Sequence, residues 1–116
     1  MKKIIVMILL ALSFLSCGDS KEIEAVKNGT LNGYPHKTLG KAIDGFVGNP
    51  KWEEIKAEDG NRYINISGKI EYYKKETNIL LQYKVKDNSF EFNALEFNDI
   101  PQNIFIYNAL IEKMYE

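Results

Sequence analysis

Two hydrophobic rhythms divide the chain after Thr38. Leu39, Ala42, Ile43, Phe46 and Val47 recur at i, i+3, i+4, i+7 and i+8, the spacing of one buried stripe on a helix. Thr38 precedes the stripe as a capping residue, Gly48 suits a left-handed stop and Pro50 prevents continuation. A helix is therefore predicted from Leu39 to about Val47.

Beyond it the period falls to two. Trp52 opens a strand to about Ala57, and Asp59-Gly60 signals a hairpin turn. Ile64, Ile66, Ile70 and Tyr72 then share one face while Asn65, Ser67, Lys69 and Glu71 share the other. After a polar turn over Lys74 to Asn78, Ile79, Leu81, Tyr83 and Val85 alternate with Gln82, Lys84 and Lys86. Asp87-Asn88-Ser89 makes another turn. The next strand starts with Phe90, Phe92 and Ala94 in phase, then shifts to Leu95 and Phe97, which implies a bulge or a strand covered on both sides. Asn98 or Asp99 caps a final helix with Pro101 in its first turn and Ile104, Tyr107, Leu110, Ile111 and Met114 as its apolar face. The expected fold class is α+β: a helix, a four-stranded antiparallel meander and a C-terminal helix over residues 38–116, with both helices on one face of the sheet.

The first third reads differently. Lys2 and Lys3 precede an apolar run from Ile4 to Leu15, the form of a secretory signal and too short for a spanning helix, which needs about 20 apolar residues. The chain's single cysteine, Cys17, follows directly. The stretch "FLSC", Phe14 to Cys17, resembles the lipobox of bacterial lipoproteins. That resemblance implies cleavage after residue 16, a diacylglyceryl group on the Cys17 sulfur and acylation of the new amino terminus. Phe14 and Leu15 depart from the family's preferred Leu and small residue. Ser16-Cys17-Gly18 also fits an ordinary small-x-small cleavage site, which would discard the cysteine. Residues 17–37 are polar, with Asn28-Gly29, Asn32-Gly33 and Tyr34-Pro35 as breaker signals, and Ile23, Val26 and Leu31 too sparse to define an element. This span reads as a lipidated cysteine followed by a flexible tether. Asp19, one place beyond the position linked to inner-membrane retention, favours the outer membrane facing the periplasm.

Composition then narrows the function. The 116 residues are 45% hydrophobic and 27% charged, as in an ordinary globular chain. Loss of residues 1–16 removes two of the 15 basic residues and none of the 16 acidic ones, leaving a formal charge of −3. That balance argues against nucleic acid as a partner, since such binding needs a concentrated positive patch. No cofactor is implied. His36 is the sole histidine, so no catalytic or metal cluster assembles from histidines and cysteines. Glu53/Glu54 alternate across a strand and Glu58/Asp59 sit at a turn, so neither pair converges on a substrate. Asn28 and Asn65 match a glycosylation acceptor, which a bacterial signal makes uninformative.

The aromatic residues carry the remaining signal. Seven tyrosines and six phenylalanines are present, and Tyr63, Tyr73 and Arg62 on neighbouring strands, with Trp52, form a candidate protein-binding surface. Cross-strand and core packing is the competing reading for the same residues. "TLGKAIDGFVGNPKWE", "EDGNRYINISGKI" and "ALEFNDIPQN" together resemble an uncharacterised family of small exported bacterial proteins. The order of a helix, "GNP" and antiparallel strands is also similar to outer-membrane assembly lipoproteins of the BamE type, from which this chain departs by lacking a clear second helix before the sheet and by adding one after it. The expected function is a non-catalytic, lipid-anchored envelope protein that binds another protein as an accessory or inhibitor. The alternative is a periplasmic carrier of a small apolar ligand between sheet and helices.

Overall fold

The computed structural model describes residues 20–87 and 89–116; the signal segment 1–16, Cys17 and Asn88 lie outside the described residues. Three helices and a sheet follow in the order α1 (Lys21–Lys27), α2 (Leu39–Phe46), β1 (Gly48–Lys56), β2 (Arg62–Tyr72), β3 (Lys75–Val85), β4 (Phe90–Phe97), β5 (Ile100–Pro101) and α3 (Ile104–Met114). The strands run β1-β2-β3-β4-β5 in sequence order, every pair antiparallel. The α+β class is as expected, with five strands instead of four.

Helix α2 forms as its stripe predicts. The Thr38 hydroxyl accepts from the Lys41 amide at 3.3 Å, and Leu39, Ala42 and Ile43 are buried. Its end differs, because Gly48 already belongs to β1 and the left-handed residue is Asn49, at φ 50°. Pro50 lies in β1 on the edge of the sheet, where a missing amide disturbs no ladder. A register shift between Gly48 and Lys51 absorbs the irregularity.

Residues 20–37 are not a tether. Ser20 caps α1 by accepting from the Ile23 amide at 3.1 Å, acidic Glu22 and Glu24 occupy the first turn, and Lys27 the last, the order that complements the helix dipole. Ile23 and Val26 are 2% and 1% exposed. The segment that follows turns tightly, with Tyr34 donating to the Leu31 carbonyl at 2.9 Å, Gly33 at φ 89°, and Leu39 donating to the Gly29 carbonyl at 2.8 Å. Two buried residues make too weak a periodic signal to read, because a seven-residue helix depends on tertiary packing and not on its own propensity. Two helices therefore precede the sheet.

All three helices cover one face. Ile23 and Val26 from α1, Leu39, Ala42 and Ile43 from α2, and Tyr107, Leu110, Ile111 and Met114 from α3 join the inward residues of β2, β3 and β4 in one core. The register Trp52–Ile66–Leu81–Leu95 crosses four strands as one inward row. A second shift, between Gln82 and Tyr83, makes Asn93 the extra residue in β4. That bulge is why Phe90 and Phe92, and then Leu95 and Phe97, all point to the core although their spacing changes phase.

Two turns are tighter than their sequences suggest. Tyr73 and Lys74, at φ 52° and 64°, close the β2–β3 hairpin alone, so Tyr72 already pairs with Lys75 and the expected polar turn through Asn78 is strand. Asn98 and Asp99, at φ 50° and 69°, likewise reverse the chain into β5, where they were expected to cap the last helix. The actual cap of α3 is Asn103, whose Oδ1 accepts from the Ile106 amide at 3.0 Å.

Candidate functional site

The four residues singled out for a binding surface do not converge. Trp52 is half-buried on the helix-covered face, with the Lys27 ammonium 5.2 Å from its ring centre, so it helps seat α1 against β1. Arg62 lies on the same side and is engaged: its guanidinium donates to Glu22 of α1 at 2.6 Å and lies 3.8 Å from Glu54 of β1. It is a clasp between the first helix and the sheet. Tyr63, the next residue along β2, points to the uncovered face, where the register aligns it with Ile55 and Lys84. Tyr73 stands at a hairpin tip and is 82% exposed.

The uncovered face is polar and internally bonded. Gln82 donates to Asn65 at 2.9 Å, and Asn93 donates to Gln82 at 2.5 Å, an amide ladder across three strands.

Three of the four exposed large hydrophobic side chains fall in one short stretch of chain. Ile100, Ile104 and Phe105 are 62%, 47% and 76% exposed and lie within six residues of sequence. The two-residue turn returns the chain into β5, so Ile100 pairs with Phe97 at the sheet's edge. Gln102 then donates to the Leu95 carbonyl at 2.8 Å, which starts α3 beside the outer edge of β4. Ile104 sits on the helical stripe by spacing, but at this end there is no further sheet for it to cover. Tyr73 reaches the same end of the sheet through two rings: Tyr72 is 4.6 Å from Tyr73 and 4.8 Å from Phe97, which pairs with Ile100. Sequence reasoning placed Ile104 in the core and passed over Ile100 and Phe105. The only available signal was the density of large apolar residues in "IPQNIF" on both sides of a proline.

A second feature is an open cleft of about 1440 Å³ that runs along α1 and the turn after it, from Lys21 to Tyr34. Lys21 and Glu22 from α1, Arg62, and Lys86, Asp87 and Glu91 from the β3–β4 hairpin stand around it, with Phe90, Phe92, Tyr83 and Tyr107 on its wall. Phe92 stacks on Tyr107 with centroids 3.8 Å apart, and the phenol oxygens of Tyr83 and Tyr107 are 2.9 Å from each other. Burial pushes the Tyr83 phenol well above its ordinary value of 10.0 and raises Tyr107 as well. Tyr115, buried beside Tyr34, is pushed up to about 12, chiefly by desolvation. Phenols held neutral in this way donate and accept hydrogen bonds near neutral pH and do not act as anionic nucleophiles.

His36 is exposed beside the Tyr115 ring. Glu53 and Glu54 point to opposite faces, as strand alternation requires. Among the described residues no three His, Cys, Asp or Glu side chains gather to hold a metal ion, and no helix is long and apolar enough to cross a membrane. Compared with protein-family models, curated proteins and solved structures, the chain gives no match.

Proposed function

We propose that this chain is a lipid-anchored protein of the bacterial cell envelope that acts by binding another protein and not by catalysis. The observation that carries the binding role is the exposure of three large apolar side chains, Ile100, Ile104 and Phe105, within one short stretch from β5 into α3. Exposed apolar surface of this kind, where it is contiguous, marks an interaction site. The anchor rests on the positive start, the apolar run and Cys17. Two acyl chains or more hold a protein stably on a bilayer, each buried methylene contributing about 0.8 kcal/mol. Asp19, one place beyond the position linked to inner-membrane retention, favours placement on the outer membrane, facing the periplasm.

The test combines metabolic labelling by an alkyne analogue of palmitate with affinity recovery of the full chain at native abundance. The wild-type protein carries label and co-purifies with a discrete protein. Cys17→Ala loses the label, and Phe105→Asp keeps the label and loses the partner. Label on the Cys17→Ala protein, or an unchanged partner with Phe105→Asp, contradicts the proposal.

The cleft favours a second reading, a carrier of an apolar ligand, because Phe90 and Phe92 on its wall are only partly buried. Native mass spectrometry of the detergent-extracted protein distinguishes the two by the presence or absence of a bound small molecule.

A further inference from the structure

Strand β1 ends the sheet on one side, with β2 as its neighbour on the other. Its open side follows from the ladder. The Ala57 amide donates to the Asn61 carbonyl at 2.8 Å, and the same register continues through Ile55–Tyr63, Glu53–Asn65 and Lys51–Ser67. Antiparallel pairs alternate between those that exchange hydrogen bonds and those that do not. The main-chain groups of Lys51, Glu53 and Ile55 therefore turn towards β2. Those of Trp52, Glu54 and Lys56 turn outward, and none has a main-chain partner among the described residues. Pro50 and the left-handed Asn49 close the edge before this stretch, and the turn at Asp59 and Gly60 closes it after.

The charges along the edge lack partners as well. Lys51, Glu53 and Lys56 make no ion pair within the chain, whereas Lys69 of β2 pairs with Glu76 of β3. Glu54 has its buried Oε2 without a hydrogen bond, 3.8 Å from Arg62.

A second copy of the chain fits this edge in one register. Residues opposite each other in paired strands share a face, so a two-fold axis relating two β1 strands passes through a residue. An axis at Glu53 or Glu54 sets that carboxylate against itself, and an axis at Lys56 does the same with an ammonium. Like charges directly opposite are destabilising. An axis at Trp52 brings Pro50, which has no amide, against the outward groups of Glu54. An axis at Ile55 removes every one of these conflicts. Two isoleucines then meet on the uncovered face, Glu54 lies opposite Lys56 of the second copy, Lys56 opposite its Glu54, and Lys51 opposite its Asp59. A lysine on an edge strand discourages pairing in general, but with a carboxylate opposite it selects this register.

We infer that β1 pairs antiparallel with β1 of a second copy about a two-fold axis at Ile55, giving a dimer with one continuous sheet. The β5–α3 corner lies at the opposite end of the strand order and stays open in such a dimer, so self-pairing and the proposed partner use different surfaces.

The test uses the full-length protein with Cys17→Ala, which removes the only native thiol, purified in detergent with one new cysteine and treated with a mild oxidant. Ile55→Cys is expected to give disulfide-linked dimer as the main product, because residues in a non-hydrogen-bonded pair at the axis have Cα atoms about 4.5 Å apart. Glu53→Cys sets its two sulfurs about four residues apart along the strands, about 14 Å, beyond disulfide reach, and is expected to stay monomeric. Association through the leader would link both variants alike. Lys56→Glu, at an exposed position without an ion-pair partner in the chain, sets a carboxylate against Glu54 at both ends and lowers the Ile55→Cys dimer yield about tenfold. No dimer from Ile55→Cys, as much dimer from Glu53→Cys, or a yield unchanged by Lys56→Glu overturns the inference.

Discussion

The phenol oxygens of Tyr83 in β3 and Tyr107 in α3 lie 2.9 Å apart inside the core, a side-chain hydrogen bond that ties the last helix to the sheet. The Tyr115 hydroxyl, also buried, has no hydrogen-bond partner. The two hydroxyls should therefore respond oppositely to removal. Tyr107→Phe leaves the Tyr83 hydroxyl unpaired and is expected to cost about 1–2 kcal/mol, whereas Tyr115→Phe removes an unsatisfied group and raises stability by about 1 kcal/mol. Urea unfolding of the two variants checks both signs.

Alkaline pH acts on the same cluster. Tyr83, Tyr107 and Tyr115 have phenol values raised above 10.0, to about 12 for Tyr115. The unfolded chain therefore ionises first, and the stability linked to these groups is whole below about pH 10 and drains as pH rises through their folded values. Thermal unfolding should be flat between about pH 7 and pH 9 with respect to these groups and fall above about pH 10. Tyr107→Phe should weaken that fall.

Gly68 in β2 lets α2 turn down onto the sheet. A Cβ there would meet Val47 Cγ1 at 2.5 Å and the Gly48 carbonyl oxygen at 2.8 Å. The backbone oxygen cannot swing away as a side-chain tip can. Gly68→Ala is expected to destabilise by about 1–3 kcal/mol, read from the urea midpoint.

Arg62 is the clasp of α1. Its partner Glu54 has Oε2 buried with no hydrogen bond, only the guanidinium 3.8 Å away. Arg62→Ala leaves two carboxylates near each other without their cation. Because Arg62 is itself partly exposed, the expected cost is modest, about 1 kcal/mol. Hydrogen exchange should localise it, with faster exchange of the Glu24 and Lys27 amides in α1 and unchanged protection in β3.

The central elements were legible because each carries a repeated physical signal. Helix α2 has five apolar residues in register behind a threonine cap, and β2 and β3 alternate cleanly, so their inner row of Ile64, Ile66, Leu81 and Tyr83 is readable from spacing. The bulge in β4 was legible as a change of phase. Helix α1 was not, because Ile23 and Val26 alone make no pattern until α2 and the sheet lie beside them. Strand β5 was missed because its reversal uses Asn98-Asp99 without a glycine. Of the candidate surface residues, Arg62 and Trp52 proved to be contacts of α1, and Tyr63 lies on the opposite face from them. Tyr73 stands at the β2–β3 tip, its ring against Tyr72, which in turn packs on Phe97. Burial of Ile104 was expected from helical spacing, which does not register where the sheet ends.

The most direct measurement of the binding account is site-specific photo-cross-linking in living cells, with a photoreactive residue in place of Phe105 and, as a control, of Glu112 on the exposed side of α3. The account predicts one discrete protein adduct from position 105, absent from position 112 and reduced when Cys17→Ala releases the protein from the membrane. No adduct from position 105, or the same adducts from both positions, would contradict it.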